Sequence, residues 1–145
     1  MKKHTLFLIA LISLFVVSCS TNTFGDSSKL YNNAWELEYI TGPRIAFQGL
    51  FPDEKPAVTF NKSTNTVNGT TGCNGYNTDF KLNGNKISFA DPGITTLRYC
   101  GDGEVFFLKG MKGITSYRIT DEGKLELLMN DVVMMRFKKS MIKKQ

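Results

Sequence analysis

The alternation of apolar and polar positions predicts a chain built mainly of short β-strands. Trp35, Leu37 and Tyr39 alternate with Glu36 and Glu38, which is the pattern of a strand with one buried face. Similar strand patterns occupy residues 57–60, 66–71, 117–120, 124–129 and 132–137. Turn-forming residues separate them, so neighbouring strands are expected to pair in antiparallel fashion.

Residues 79–89 carry the strongest hairpin signal. Asn83-Gly84 suits the two central positions of a type I′ turn, because both positions need a positive φ. This turn would place Phe80 opposite Ile87 and would put four apolar side chains on one face of the hairpin, namely Phe80, Leu82, Ile87 and Phe89.

One segment after residue 100 has helical periodicity. Its apolar residues Phe107, Met111 and Ile114 recur at helical spacing, Asp102 is a candidate N-cap, and Glu104 follows near the positive end of the helix dipole. The chain is therefore predicted to have a mainly β (α+β) fold. We expect a curled antiparallel sheet or a small, partly open barrel of about eight strands packed around one short helix.

The start of the chain resembles a bacterial lipoprotein signal peptide. Lys2 and Lys3 precede an apolar run at residues 6–17, which is too short to span a bilayer core of about 30 Å. In such a signal the thiol of Cys19 is acylated and becomes the new N-terminus. The predicted organisation is a signal peptide at 1–18, a flexible tether at 19–30, a folded domain at 31–138 and a basic tail at 139–145. The predicted localisation is membrane-anchored, in the outer membrane or on the periplasmic side of the envelope.

Composition argues against several kinds of chemistry. The single histidine, His4, lies in the signal, so the mature chain can form neither a Ser-His-Asp nor a Cys-His relay. Methionines such as Met111 and Met134 are better explained by core packing than by a copper site. We predict no enzyme activity, no metal and no cofactor. Residues 20–135 contain 11 basic and 13 acidic residues, which makes nucleic acid a poor partner.

The long loop at residues 43–56 holds three apolar side chains that the strand pattern does not place, those of Phe47, Leu50 and Phe51. Loops of this length are often functional. The loop could pack as a lid on the core, or it could stand free as an apolar patch that docks a protein or a lipid. It is therefore a possible partner loop, and most other aromatic residues, including Tyr99, are expected to fill the core.

Two cysteines remain after the signal is removed. In an oxidising compartment Cys73 and Cys100 could form a disulfide that closes a loop of 27 residues. The alternative is a pair of buried free thiols, since an unpaired cysteine packs well as a small apolar side chain.

The sequence around these cysteines resembles the META domain family, which includes the HslJ-like bacterial lipoproteins. The resemblance covers about residues 31–138 and includes Gly69-x-x-Gly72-Cys73-Asn74. Its structural motif residues are Trp35, Gly72, Cys73, Asn74, Thr95, Cys100 and Glu104. It implies a mostly β fold around one helix in an envelope or stress-linked protein, and it brings no catalytic residues. The Gly72-Cys73-Asn74 turn can be architecture or the wall of a polar ligand pocket.

Two functions are consistent with these features. The first is a non-catalytic, lipid-anchored envelope protein, a monomer that acts as an interaction or stress-linked accessory module and contacts another envelope protein. The alternative is a carrier or pilot-like lipoprotein that binds an acyl chain or a partner peptide between sheet and helix.

Overall fold

The computed structural model describes residues 27–31 and 33–140. Three helical segments are present in this part of the chain: α1 (Ser28–Tyr31), α2 (Phe47–Leu50) and α3 (Gly103–Lys112). Its strands are β1 (Ala34–Ile40), β2 (Ala57–Asn61), β3 (Thr66–Thr70), β4 (Gly75–Asn83), β5 (Lys86–Phe89), β6 (Gly93–Ile94), β7 (Ser116–Ile119), β8 (Leu125–Met129) and β9 (Val132–Lys139).

Eight of these strands close into an antiparallel barrel. The order runs β1-β2-β3-β4-β5-β7-β8-β9, and β9 pairs back onto β1. The closure between β5 and β7 consists of one ladder pair, Lys86 with Ser116. Strand β6 is an additional strand that pairs with Tyr76 and Asn77 of β4 on the side opposite β3, in line with β5. The predicted mainly β fold with one helix is confirmed, and the barrel is closed because closure satisfies the edges that an open sheet would expose.

The barrel interior is filled by apolar side chains from the strands and from α3. Trp35, Phe107 and Phe137 are completely buried. The indole nitrogen of Trp35 donates a hydrogen bond to the carbonyl oxygen of Leu30 at 3.0 Å, and Leu30 is itself fully buried. The folded domain therefore begins before residue 31, and the predicted tether at 19–30 extends too far at its C-terminal end.

The β4–β5 hairpin has a different register from the one predicted. Asn83 pairs with Lys86 and Phe80 pairs with Phe89, so the turn residues are Gly84 and Asn85. Gly84 has φ +61°, whereas Asn85 is not among the residues with positive φ. Glycine at the first central position suits a type II′ turn, which replaces the predicted type I′ turn. The change moves the pairing by two residues, so the same four apolar side chains still face the core.

Helix α3 lies where its periodicity predicts, and Phe107 and Met111 are fully buried. Asp102 is at the N-cap position, but its side chain makes no capping hydrogen bond. A Cβ atom at Gly103 would overlap the carbonyl oxygen of Leu50, so the helix begins in close contact with the loop at 43–56. Within the described residues no helix has the length and apolar character needed to cross a membrane.

The loop at 43–56 packs against the barrel as a lid. Leu50 and Phe51 are each 5% exposed, and the Phe47 ring contacts the Phe51 ring with centroids 5.2 Å apart. Phe47 is half-buried. The alternative in which the loop stands free of the barrel is therefore wrong for Leu50 and Phe51, because both side chains are buried against the core.

Candidate functional site

The turn between β3 and β4 is held by its own backbone and by Thr71. The Thr71 amide donates to the Asn74 carbonyl oxygen at 2.8 Å, and the Thr71 hydroxyl accepts the Asn74 amide at 2.9 Å. Gly72 has φ +85°, and a Cβ atom there would lie 2.7 Å from the carbonyl oxygen of Glu54. Only glycine fits this position, because both the backbone conformation and the contact exclude a side chain.

Asn74 is the centre of a buried polar network. Its side-chain nitrogen donates to the Glu104 carboxylate at 2.9 Å and to the Arg98 carbonyl oxygen at 2.8 Å. Its side-chain oxygen accepts the Thr96 hydroxyl and the Arg98 amide, each at 2.8 Å. The primary amide offers two donors and two acceptor sites, so these contacts use its full capacity. Asn74 is 1% exposed and has no hydrogen-bonding capacity left for a ligand.

Glu104 joins helix α3 to this turn. Its carboxylate accepts the Thr71 hydroxyl at 2.5 Å in addition to the Asn74 amide. The sequence predicts Glu104 as a favourable charge near the helix N-terminus. The structure adds a second role, because the carboxylate also fixes the start of α3 to the β3–β4 turn.

Cys73 and Cys100 form a disulfide with their Cα atoms 5.7 Å apart, which confirms the predicted pair. Beside it, the Arg98 guanidinium donates to the carbonyl oxygen of Cys73. We call Thr71, Cys73, Asn74, Arg98, Cys100 and Glu104 together the Asn74 cluster. It attaches the chain after β6 to the end of the barrel by a covalent bond and several hydrogen bonds.

Residues 93–100, here called the exposed segment, are all exposed although this cluster holds them. Leu97 is 96% exposed and Tyr99 is 90% exposed, while the Arg98 side chain between them turns back to Cys73. The prediction that Tyr99 fills the core is wrong. The signal that could have found this is the flanking pattern, since Tyr99 lies between Arg98 and Cys100, is followed by Gly101 and lies outside any strand periodicity.

The N-terminal end of the domain lies away from the exposed segment. The Tyr31 ring of α1 packs on Phe80 with centroids 6.4 Å apart, whereas the Thr95 amide donates to Gly75 at the start of β4. Five residues of strand separate Gly75 from Phe80, a rise of about 17 Å.

The predicted motif residues therefore divide into two groups. Gly72, Cys73, Asn74, Cys100 and Glu104 come together, and Thr95 lies beside them because its amide donates a hydrogen bond to the carbonyl oxygen of Gly75, the residue after Asn74. Trp35 does not join them, because it belongs to the apolar core beside Leu30. Cys19 lies outside the described residues.

Sequence reasoning missed the roles of Thr71, Thr96 and Arg98. Their partners lie 3 to 33 positions away, and most of these contacts form only when the barrel closes. Within residues 27–31 and 33–140, no group of three or more acidic, cysteine or histidine side chains could hold a metal ion.

A separate ionic cluster lies on the outer wall of the barrel. The Glu126 carboxylate on β8 accepts hydrogen bonds from Arg118 at 2.6 Å and from Arg136 at 2.8 Å. Burial alone would raise the pKa of Glu126, but the hydrogen bonds from Arg136 and Arg118 outweigh it and hold the pKa below its ordinary value. This cluster ties β7, β8 and β9 together.

Similar structures support the fold. An NMR structure of a protein from Burkholderia xenovorans has a TM-score of 0.60 and 20% identity, with 79% of this chain and 86% of that chain covered. A second NMR structure has a TM-score of 0.56 and 15% identity, with 77% of this chain and 92% of that chain covered. No curated protein matches the chain. The META domain model matches residues 28–141 and points to no known catalytic family. With this match over most of its length and a barrel closed around α3, the chain belongs to the META domain family.

Proposed function

We propose that this protein is a non-catalytic, lipid-anchored accessory module of the bacterial cell envelope that holds a protein-binding surface near a membrane. The observation that carries the proposal is the exposed segment, in which Leu97 and Tyr99 stand in solvent on a chain that is covalently fixed to the barrel. Large apolar side chains on a preorganised segment favour binding, because little conformational entropy is lost when a partner contacts them.

The proposed anchor is the lipid on Cys19. Seven residues separate Cys19 from Ser27, the first described residue, and a flexible chain of that length has a reach of about 15 Å. The tether would join the domain near α1, about 17 Å along β4 from the exposed segment. This arrangement favours a surface that faces away from the membrane and toward another envelope protein.

The polar groups of the Asn74 cluster support a non-catalytic role. Asn74 has no hydrogen-bonding capacity left, and one oxygen of the Glu104 carboxylate, Oε2, accepts from both Thr71 and Asn74. A catalytic acid or base needs a partner-free position within reach of substrate. These contacts favour the architectural interpretation of the Gly72-Cys73-Asn74 turn over the ligand-pocket interpretation.

The anchor is tested by mass spectrometry and membrane fractionation of the wild type and of Cys19→Ala. We expect a wild-type chain that begins at Cys19, carries acyl groups and sediments with membranes, and a variant that does not. The interaction is tested in cells with a photo-crosslinking residue at position 97, and with position 132 as the matched exposed control. A wild-type chain found without lipid in the cytosol, or equal crosslinking at both positions, would contradict the proposal.

One observation favours the carrier alternative. A trough of about 310 Å³ lies where the β4–β5 hairpin meets the chain after α3, with Leu82, Ile87 and Ile114 in its floor and Lys81 and Lys86 at its rim. An apolar floor with cationic rim groups suits an anionic amphiphile. Titration with a fluorescent fatty acid distinguishes the two functions, because a carrier loses binding when the exposed Lys81 and Lys86 both become glutamates. The filled barrel core favours the interaction module.

A further inference from the structure

Among the strands of the described chain, β6 is the one that pairs with another strand on one side only. Each strand of the ring pairs on both sides, whereas β6 pairs with β4 alone. The hydrogen-bonding edge of β6 that faces away from β4 has no strand beside it within residues 27–31 and 33–140. An open strand edge is a template for another strand.

The register identifies which backbone groups face outward. The Thr95 amide donates to the Gly75 carbonyl oxygen at 2.8 Å, and Ile94 lies opposite Tyr76. Hydrogen-bonded and non-hydrogen-bonded pairs alternate along an antiparallel ladder. Since Thr95 and Gly75 form a hydrogen-bonded pair, the N–H and C=O groups of Ile94 point away from β4 and toward the open side.

The β6 edge carries one of the features that block strand addition, because the strand has only two residues, but it lacks charge and proline. Proteins protect open edges with very short strands, charges, prolines or covering helices. Residues 93–97 read Gly-Ile-Thr-Thr-Leu, with no charge and no proline, and all five are exposed. Ile94 and Leu97 keep 40% and 96% of their surface in solvent. Uncharged, β-prone sequence at an open edge is a liability unless the edge is used.

We propose that the exposed segment accepts an extended strand from a partner protein, which pairs with the backbone of Ile94 and packs apolar side chains against Leu97 and Tyr99. This inference rests on the proposed interaction function and names its partner class. Strand addition gives affinity through main-chain hydrogen bonds and specificity through alternate side chains.

A flexible partner strand fits this edge better than a second copy of the chain. Strand β6 has two residues, and the chain bends at Thr95 and Thr96. A stable dimer buries about 800 Å² on each partner. Two rigid copies paired through two residues do not approach that area, whereas a flexible strand can follow the bend and reach Tyr99.

The test uses the purified chain, taken from whichever cell fraction contains it, and a library of random decapeptides displayed on phage. The selected peptide is synthesised and added while amide hydrogen exchange is followed. We expect slower exchange at Ile94 and its neighbours. Methylation of single peptide amides should weaken binding about tenfold at alternate positions and leave it nearly unchanged at the positions between them.

The matched variants are Ile94→Pro and Ile94→Ala. Both remove the isoleucine side chain, but only proline removes the outward N–H, so we expect about tenfold weaker peptide binding in Ile94→Pro than in Ile94→Ala. Thermal unfolding checks that both variants fold. The alternating effect of peptide methylation keeps the inference testable if Ile94→Pro does not fold.

Three results would overturn this inference. The first is that no peptide selected from the library slows exchange at Ile94. The second is that peptide binding does not change when the peptide amides are methylated. The third is that the chain forms concentration-dependent dimers that Ile94→Pro abolishes, which would assign the edge to a second copy. None depends on Cys19. A chain that carries no lipid on Cys19 would therefore refute the proposed function and leave strand addition at Ile94 in place. Failure of strand addition at Ile94 would leave the lipid anchor in place.

Discussion

The two ends of β4 lie in parts of the domain that are stabilised by different interactions. Near α1 the domain is closed by apolar packing around Trp35, which is fully buried and needs one hydrogen bond, to Leu30. At the other end, the Asn74 cluster is closed by polar contacts and a disulfide between residues 24 to 33 positions apart. Apolar packing tolerates many neighbours, whereas a buried amide requires specific partners. The polar end can therefore hold a segment in solvent that packing alone would not order.

The largest expected effect is at the apolar end. Trp35→Ala should lower the free energy of unfolding by about 3–5 kcal/mol, because it leaves a large cavity and an unpaired carbonyl group at Leu30. Urea unfolding measures the loss. Tyr39→Ala is the control on the same strand. Tyr39 is 43% exposed, so its substitution should lower the free energy of unfolding far less. Similar losses in the two variants would contradict this account of the core.

The next effect is at the polar end. Replacing Cys73 and Cys100 together by serine should lower the free energy of unfolding by about 3.5 kcal/mol, because the unfolded chain regains the entropy of an open 27-residue loop. The lower global stability should speed exchange of core amides in β1 and β9 to the same extent, and residues 95–101 should show a larger acceleration because they also lose their local attachment. An acceleration of the same size in all of these segments would show that the disulfide does not order residues 95–101 locally.

Asn74→Ala tests the amide itself. We expect a loss of about 2–3 kcal/mol, because the variant removes the buried amide that bonds to the Glu104 carboxylate, the Thr96 hydroxyl and the Arg98 backbone. Asn77→Ala is the matched control on β4, since Asn77 is exposed, and should change stability by under about 0.5 kcal/mol. Equal values for the two variants in urea unfolding would show that the amide network is not what orders this end.

The smallest effect concerns the outer wall and adds a pH dependence. Glu126→Gln should cost about 1 kcal/mol at pH 7, a modest value because Arg118 and Arg136 are partly exposed. The pKa of Glu126 is lowered in the folded protein, so its contribution is complete above the ordinary glutamate value and is lost as pH falls through the folded value. The melting temperatures of wild type and variant should therefore converge in acid. A gap that persists at pH 2 would contradict the assignment.

The strand pattern was sufficient for much of the fold. Alternation at Trp35, Leu37 and Tyr39 predicted β1, although a register shift after Leu37 leaves Tyr39 exposed. The apolar face of the hairpin was correct although its register was wrong. The register depends on which residue adopts a positive φ, and Asn83-Gly84 and Gly84-Asn85 are both acceptable turns locally. Ladder pairing with the neighbouring strands decides between them, which a local pattern cannot encode.

The sequence predicted which residues belong to the candidate site, but it did not predict what those residues do. The resemblance to the META domain family identified the two cysteines, Asn74 and Glu104 as motif residues, but Glu104 was predicted only as a favourable charge near the start of the helix. Its bonds to Thr71 and Asn74 cross 33 and 30 positions of sequence. Leu97 and Tyr99 look like core residues by type, and only the contacts of Arg98 show that the chain turns them outward.

The sequence by itself determined the strand-rich composition of the domain, the apolar helix and the presence of two cysteines able to pair, because these follow from side-chain type and local periodicity. Tertiary structure alone decided that the barrel closes, that β6 pairs with β4 and has an open edge on its other side, and that Asn74 uses all the hydrogen bonds of its amide to hold the chain beside that edge. These features depend on which distant groups meet, and burial makes an unmatched polar group too costly for any other arrangement.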